Sequence, residues 1–468
     1  MRRLTIALAA AALLPGCTLA PAYTRPAPPV PQVWPAPAAT PVGPAAADLP
    51  WRSVIVEPKL QALVTLALRE NRDLRVAVAD VSEARALYRM QRSELVPPVD
   101  AVGEATRSRT PSSVVGNNQT GDYKRYDANI GISAYELDLF GRVQSLTAAA
   151  RQSFFAVEEN RRTIQITLVA EVGSAYATLA ADQDRLQMIR DTLQSRDAAA
   201  GLTQKRFDAG ASSQLDLRQA QTLLEQARSD VATASAQVAQ DRNALQLLVG
   251  LPIPDDLWPN GGVDGLHILA DLPPGLPSEV LLRRPDVLAA EHTLKARNAD
   301  IGAARAAFFP RITLTGDIGT ASSQLDGLFK AGTRAWSFTP QITLPIFGVL
   351  ANAANLSAAN ARRDAAVARY EKAVQVAFRE VADALAIRAT IQDRVDAQTR
   401  LVAQSADVQR LTQARYDRGV DGYLALLDAQ RSAYAAQQNL VSARLAEILN
   451  RVELYRALGG GGQPDTAP

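Results

Sequence analysis

The sequence is poor in the residues on which most enzymes and metal sites depend. Its 468 residues include one cysteine, Cys17, and two histidines, His267 and His292. A single cysteine excludes a disulfide within the chain, and these three residues cannot build a zinc site of cysteine and histidine ligands. No reactive-looking serine or cysteine lies beside either histidine in the sequence. We therefore predict that the chain is not an enzyme and holds no metal or cofactor, apart from a covalent lipid discussed below.

Aromatic residues and net charge are also scarce. Aromatics make up 5% of the chain, which argues against a large globular core. The 50 basic residues nearly balance the 48 acidic ones, so nothing in the charge predicts a nucleic-acid partner. Both signs of charge alternate along alanine-rich stretches, a pattern typical of long, solvated helices.

The hydrophobic run at the N-terminus is short. Arg2 and Arg3 precede "LTIALAAAALL", which is too short to span a membrane and predicts a signal peptide over 1–16. The break that follows, Leu14-Pro15-Gly16-Cys17, resembles the lipobox of bacterial lipoproteins. That resemblance implies cleavage before Cys17 and its lipidation. Proline crowds the next segment, so we expect 17–57 to be an extended tether.

The remainder of the chain consists of two similar halves. "RFDAGASSQLDLRQAQ" begins at Arg206 and returns in altered form as "RYDRGVDGYLALLDAQ", which begins at Arg415, 209 residues later. Gln183-Asp184-Arg185 recurs as Gln392-Asp393-Arg394 at the same spacing. We predict a first repeat over 58–250, which contains a helix, a β-hairpin at 98–140 and a helical hairpin at 142–249. A connector at 251–277 leads to a second repeat over 278–458, which contains a helix, a β-hairpin at 311–347 and a helical hairpin at 350–458. The chain ends in a predicted disordered tail at 459–468.

Within each half the sequence period changes from strand to helix. "RITLTGDIGT" (311–320) alternates apolar and polar residues, as do 336–344 and 126–134, while 99–108 match more weakly. From Arg142 to Asp208 there is no proline, which allows one helix of about 100 Å. The helix after Gly210 carries a heptad seam from Leu217 to Leu248, in which Asp241 is polar.

These patterns together predict a membrane protein that must associate. Four strands cannot close a barrel, and an open sheet would leave unpaired backbone groups in lipid. Strands must therefore close between subunits, with the helices continuing as a second tube. Gly210 and Gly419 each separate two long helices, so we predict that they are the tips of two helical hairpins.

The stretch "RRPDVLAAEHTLKARNADIGAARAAFFPRITLTGDIG" (283–319), together with "RYDRGVDGYLALLDAQR", resembles the outer membrane factor (TolC-like) family, in particular its lipoprotein branch of RND efflux systems. The resemblance implies a homotrimer with a twelve-stranded transmembrane β-barrel, a twelve-helix periplasmic α-barrel and an equatorial α/β region. It implies an outer-membrane channel that serves as a passive exit duct for drugs or other small molecules. Its implied partners are a periplasmic adaptor, an inner-membrane RND pump and outer-membrane lipid.

The resemblance also implies roles for residues at the hairpin tips. The periplasmic gate would comprise Tyr416, Leu424, Asp428 and Arg431, and the tips that contact the adaptor would include Gly210, Gly419, Arg206 and Arg415. Asp428 and Arg431 are three residues apart, so they share a helix face and could pair. They could equally be solvated surface residues. The equivalent residues of the first half, Gln219 and Thr222, are uncharged.

Two other functions fit parts of the sequence. A type I protein-secretion channel would share the fold, although the lipobox and the 283–319 stretch favour the efflux branch. A periplasmic coiled-coil scaffold lipoprotein would share the helices, but it should have no amphipathic strand pairs.

Overall fold

The computed structural model describes residues 18–31, 33–34, 50–110, 121–264, 266–270 and 278–460. The predicted signal peptide, Cys17 and residues 461–468 of the predicted tail lie outside the described residues. The described residues form two compact units. One contains the sheet and the helix ends that flank it, within 81–157 and 289–370, together with the N-terminal residues as far as Ala27. The other contains the helical hairpins and the connector, within 28–80, 158–288 and 371–460.

Helices and strands follow one another in the same order in both halves. The first half contains α1 (Pro58–Glu70), α2 (Arg72–Ser93), β1 (Val99–Thr110), β2 (Gly121–Glu136), α3 (Arg142–Asp208) and α4 (Gln214–Val249). The second half contains α5 (Pro285–Ala306), β3 (Arg311–Ser322), β4 (Arg334–Thr343), α6 (Val349–Asp417) and α7 (Tyr423–Ala457). Short helical turns lie at Trp51–Val54, Asp255–Leu257, Ser278–Arg283 and Leu325–Gly327.

The four strands form one antiparallel sheet in the order β1-β2-β3-β4. Its register places Ile130 opposite Ile318, and Ile318 opposite Trp336, so large apolar side chains line one face. That face is exposed in the single chain, with Trp336 at 73% of its full accessible area. The other face has Asp100 and Asp317, which lie at the same level on either side of β2. An apolar outer face and a polar inner face are the pattern of a transmembrane barrel strand.

A bulge in β2 turns the chain from the sheet toward α3. The β2–β3 register shifts between Ile132 and Tyr135, and Ala134 adopts a positive φ of 49°. One extra residue in a strand bends it and increases its twist. Just beyond the bulge, the carboxylate of Glu136 pairs with Arg142 at 2.8 Å and with Arg311 at 2.6 Å. These ion pairs fix the start of α3 beside the start of β3.

The long helices pack through the predicted seams. On α4 each seam position is buried or half-buried: Leu217, Ala220, Leu224, Ala227, Val231, Ala234, Val238, Asp241, Leu245 and Leu248. On α7 the residues seven apart behave in the same way: Leu427, Tyr434, Val441, Ile448 and Tyr455. Burial of these stripes, and not intrinsic helix propensity, supplies most of the stability of such helices.

Each repeat is closed by one side chain that binds the end of its last helix. In the first repeat, Asn71 Nδ2 donates a hydrogen bond to the carbonyl of Leu248 at 2.9 Å. In the second, Arg284 donates to the carbonyl of Ala457 at 2.6 Å. Arg284 also binds Glu380 at 2.9 Å, and its side chain is only 6% exposed. The two repeats therefore close in the same way, but only the second does so with a buried charge.

Glycine permits this closure in both repeats. Gly250 and Gly459 follow the last helix of their repeats with φ of 82° and 70°. A Cβ on Gly250 would lie 2.6 Å from the carbonyl oxygen of Glu70, and one on Gly459 would lie 3.1 Å from the Arg284 side chain. A left-handed conformation and a close approach of backbone both require glycine here.

Candidate functional site

The two helical hairpins reverse through the same backbone geometry. Gly210 and Gly419 have φ of 72° and 73°, in the left-handed region. Gly210 N donates to the carbonyl of Phe207 at 2.9 Å, and the following residue donates to that of Arg206 at 2.7 Å. The second tip repeats this pattern, with Gly419 N bound to the Tyr416 carbonyl at 2.9 Å. Both tips thus end their first helix in a Schellman motif, which satisfies the last carbonyls of the helix.

The helices that leave the two tips begin differently. At the first tip, Ser213 accepts a hydrogen bond from Asp216 N at 3.1 Å, and the Asp216 carboxylate accepts one from Ser213 N at 3.2 Å. This capping box satisfies two backbone donors at the start of α4. At the second tip the equivalent residue is Gly422, and no side chain caps α7.

An ion pair spans the second tip instead. The guanidinium of Arg415 donates two hydrogen bonds, of 2.6 and 2.8 Å, to the carboxylate of Asp421. The hydrogen bonds from Arg415 hold the pKa of Asp421 below its ordinary value. The pair lies at the surface, where such interactions contribute little to stability. Sequence reasoning placed Arg415 at this tip but did not identify Asp421 as its partner.

A small apolar cluster joins the two tips. Its buried members are Ala200, Ala220, Leu223, Tyr423, Leu426 and Leu427, and Leu224 and Tyr416 pack against it. The rings of Tyr416 and Tyr423 lie 5.5 Å apart between centroids. The guanidinium carbon of Arg206 lies over the Tyr416 ring, 5.5 Å from its centroid. The side chains of Arg206 and Arg415 are therefore both engaged within the tips.

Three of the four predicted gate residues lie on one stripe of α7. Leu424 is 68% exposed, and Asp428 and Arg431 are also exposed. Spacings of four and three residues place them on one helix face, away from the apolar cluster that Leu426 and Leu427 enter. Tyr416, the fourth, is half-buried and packs against that cluster, so the structure separates it from the others.

Asp428 and Arg431 do not pair with each other in the single chain. Among the residues that the structure describes, neither side chain takes part in an ion pair within 4.0 Å. In the first repeat Gln219 is half-buried, and the Thr222 hydroxyl donates to the Arg218 carbonyl at 2.8 Å. The charged stripe therefore belongs to the second hairpin.

Residues 19–25, within the predicted tether, lie along α5. Glu291, with a side chain only 3% exposed, accepts hydrogen bonds from Tyr23 at 3.0 Å and from Arg25 at 2.8 Å. Asn298 donates to the carbonyl of Pro21 at 2.7 Å, and Arg305 donates to that of Leu19 at 3.1 Å. The segment thus runs antiparallel to α5, and Leu19 lies at the end of α5 that leads into β3.

Comparisons with known proteins assign the chain. The profile of the outer membrane efflux protein family matches residues 63–251 and 276–460, one match for each repeat. The chain belongs to this family. It is 46% identical to the outer membrane protein OprJ of Pseudomonas aeruginosa over 455 residues, which cover 97% of this chain and 95% of that protein. It is 44% identical to the toluene efflux pump outer membrane protein TtgC of Pseudomonas putida over 458 residues, 97% of this chain and 94% of that one.

Solved structures agree with this assignment. The open state of the Neisseria gonorrhoeae MtrE outer membrane channel superposes with a TM-score of 0.86 at 40% identity, covering 97% of this chain and all of that one. A membrane protein from Pseudomonas aeruginosa superposes with a TM-score of 0.89 at 44% identity, covering 95% of this chain and 98% of that one.

Family membership confirms the predicted fold class and function. The chain is a subunit of a trimeric channel in which a β-barrel continues into an α-helical barrel. It is the outer-membrane channel of a tripartite efflux pump, with a periplasmic adaptor and an inner-membrane RND pump as partners. The family transports and does not catalyse. Within the described residues, no group of three His, Cys, Asp or Glu residues is arranged to hold a metal.

A pair of neighbouring carboxyl groups in this efflux protein, one buried and one half-buried, was missed by sequence reasoning. Asp241, the polar residue of the α4 seam, lies beside Asp182 of α3, and burial together with that neighbour raises the pKa of Asp241 to about 6. One oxygen of Asp241 is buried without a hydrogen-bond donor. Arg185 pairs with Asp182 and donates to Ser442 on α7 at 2.9 Å. The interruption of an otherwise apolar seam was the available signal.

Proposed function

We propose that the channel is closed at its periplasmic end by the stripe of Leu424, Asp428 and Arg431, contributed by each of three subunits. The observation that supports this is the exposure of all three side chains on one face of α7, next to the second tip. Leu424 has 68% of its area exposed, and burying it against another apolar surface would be favourable. Three copies that meet on the trimer axis would provide that surface.

The two charged residues would add a ring of ion pairs to this closure. Because neither has an ion-pair partner among the described residues of its own chain, Asp428 of one subunit is available to Arg431 of a neighbouring subunit. One exposed pair contributes only about 0.3–0.5 kcal/mol. Three such pairs in a narrow, partly dehydrated constriction would contribute more, because less water screens them. Such a closure would be firm but reversible.

Tyr416 would support this gate from behind and would not line it. Its ring packs on Tyr423, the first residue of α7, and under the guanidinium of Arg206. The tips also carry exposed apolar residues, Leu215 at 65% and Val420 at 61%. We infer that these, with the Gly210 and Gly419 turns, form the surface that contacts the adaptor.

We propose small, predominantly apolar molecules as the exported substrates. The relatives are named for the toluene, solvent and antibiotic efflux pumps to which they belong. Their identity of 44% extends over 96–97% of this chain, which supports a similar substrate class.

Conductance through planar lipid bilayers tests the gate. Wild-type trimer should show a small, mostly closed conductance, and Asp428→Ala/Arg431→Ala should raise it severalfold. The matched control is Asp407→Ala/Arg410→Ala, which removes an exposed i,i+3 pair, 3.3 Å apart, from α6. The control should conduct like the wild type.

The three proteins together separate the gate from the channel. An equal, low conductance in all of them would remove the gate assignment and leave the channel role intact. An equal rise in both double variants would show that loss of any surface pair loosens the helices. No conductance from any of them, in trimers shown to be inserted, would contradict the channel itself.

We further propose that Cys17 carries the lipid that anchors the N-terminus. The course of the N-terminal segment along α5 supports this, because it brings Leu19, two residues after Cys17, to the end of α5 that leads into the membrane strands. A lipid attached there would enter the inner leaflet beside the barrel.

Mass spectrometry of protein purified from membranes tests the anchor. We expect a mature chain that begins at Cys17 and carries the added mass of a diacylglyceryl group and an amide-linked fatty acid. Cys17→Ser should retain its signal peptide and lack this mass. A wild-type chain with a free Cys17 thiol, or one cleaved elsewhere, would contradict the proposal.

A further inference from the structure

The outward face of the sheet carries unpaired cations near its outer end. Arg107 on β1 lies directly opposite Lys124 on β2, and both side chains are exposed. Arg334 lies on the same face, opposite Thr320 on β3. Alternation along the strands places all three on the face of Ile130 and Trp336, which is the lipid-facing side.

These cations lack acidic partners. In the described part of the chain, Arg107, Lys124 and Arg334 form no ion pair within 4.0 Å. The next row outward is neutral by charge, with Arg109 opposite Asp122. Like charges directly opposite each other in a sheet are destabilising. Arg107 and Lys124 therefore form a row that a bound anion would stabilise.

An apolar groove lies on the same face, nearer the periplasm. It has a volume of about 620 Å³ and is lined by Val99, Ile130, Ile132, Ile318, Trp336 and Phe338. Gly316 lies between Ile132 and Phe338 in the register, and the Phe338 ring lies 3.3 Å from where a Cβ of Gly316 would be, so the glycine lets this ring lie close to the strand at the floor of the groove. Arg334 stands at the rim of the groove.

The positions of the groove and the cations match those of an amphiphile. Arg334 lies two residues beyond Trp336 on β4, or about 7 Å outward along the strand. Gly103 on β1 is level with Arg334 in the register of the sheet. Arg107 lies four residues beyond Gly103, which places it about 14 Å further outward along the strand direction. The helices leave from the opposite ends of the strands, so the cations lie toward the outer leaflet.

We propose that this face binds a phosphate-bearing, multiply acylated glycolipid of the outer leaflet, of the lipid A type. One acyl chain would lie in the groove beside Trp336, and the phosphates would contact Arg334, Arg107 and Lys124. Phosphate is the anion that arginine binds best, through paired hydrogen bonds. The inference rests on the outer-membrane placement of the barrel but not on the gate.

Native mass spectrometry of the detergent-solubilised trimer tests the site. Purified lipid A is added to the wild type and to Arg107→Gln/Lys124→Gln/Arg334→Gln. The matched control, Lys372→Gln/Arg394→Gln/Arg400→Gln, removes three exposed cations from α6. Each lost contact should weaken lipid retention about fivefold, so the triple variant should bind about a hundredfold more weakly. The control should bind like the wild type.

Two further arms identify what is recognised. Lipid A stripped of its phosphates should bind to the wild type about as weakly as intact lipid A binds to the triple variant. Inorganic phosphate alone should compete poorly, because it cannot use the groove. Equal retention of intact and dephosphorylated lipid, or equal binding by all three proteins, would overturn the proposal. Unchanged conductance in the triple variant would show that the channel survives whichever result is found.

Discussion

Replacing Arg284 by methionine should cost more stability than replacing its counterpart in the first repeat. Arg284 binds Asp286 through two hydrogen bonds, of 3.0 and 2.7 Å, Glu380 through one of 2.9 Å, and the carbonyl of Ala457 at 2.6 Å. Removing one partner of a buried ion pair typically costs about 3–5 kcal/mol. Here we expect the lower end, about 3 kcal/mol, because Asp286 is 35% exposed and Glu380 keeps Arg456 at 3.4 Å.

Asn71 provides the matched comparison. Its amide donates to the Leu248 carbonyl at 2.9 Å, and its oxygen accepts from Leu74 N at 2.9 Å. These are neutral hydrogen bonds, and Asn71→Ala loses a helix cap as well as one tertiary contact. We expect about 1–2 kcal/mol. The two positions close equivalent repeats, so their difference isolates the buried charge.

Thermal unfolding of the trimer in detergent measures both effects. For a chain of 468 residues, each kcal/mol corresponds to a shift of about 1 °C in the melting temperature. Arg284→Met should therefore lower it by about 3 °C and Asn71→Ala by about 1–2 °C. Equal shifts would refute the reasoning, since they would show that the charge network of Arg284 adds nothing to the hydrogen bond that both residues make.

Two further predictions concern the helical hairpins. The raised pKa of Asp241, about 6 against an ordinary 3.8, means that the folded protein holds a proton more tightly than the unfolded chain, so its stability should fall as pH rises from about 4 to 6 and then level off. Asp241→Asn should remove that dependence and be more stable than the wild type at pH 7.5 by about 1–2 kcal/mol, after allowance for partial solvent exposure. The control Asp230→Asn, which loses a similar contact with Gln226 on α4, should do neither. Melting temperatures of the wild type and Asp241→Asn that change with pH in parallel from pH 4.5 to 7.5 would contradict this. Ser213→Ala should destabilise the first tip by about 1 kcal/mol through loss of its capping box, as seen by faster amide exchange at the start of α4. Unchanged exchange there would mean that packing alone holds the tip.

The sequence predicted the architecture well because the architecture depends on local periodicity. The strand alternation around Ile312 and the positive φ of Gly210 and Gly419 follow from nearest neighbours and from steric limits on the backbone. The first and second halves align with each other by sequence alone, because the glycines and prolines that punctuate one half recur in the other.

The charge networks could not be predicted in the same way. Glu291 meets Arg25 across 266 residues, and Arg284 meets Glu380 across 96. No periodic signal links such residues, and the same polar types are abundant on solvated helix faces. Proline content predicted an extended N-terminal segment, but its docking on α5 depends on a partner that composition does not reveal.

The two tips share a backbone turn but differ in what holds the following helix. At the first tip, Ser213 and Asp216 satisfy the start of α4 through bonds between adjacent turns, which persist as long as the helix does. At the second, Gly422 offers no side-chain cap, and the interaction added to the shared turn and to the packing of Tyr416 on Tyr423 is one surface ion pair between Arg415 and Asp421. Surface pairs are weak and are screened by salt. The hairpin that carries the charged stripe is therefore also the one whose tip can rearrange at the lower energetic cost, as a gate requires.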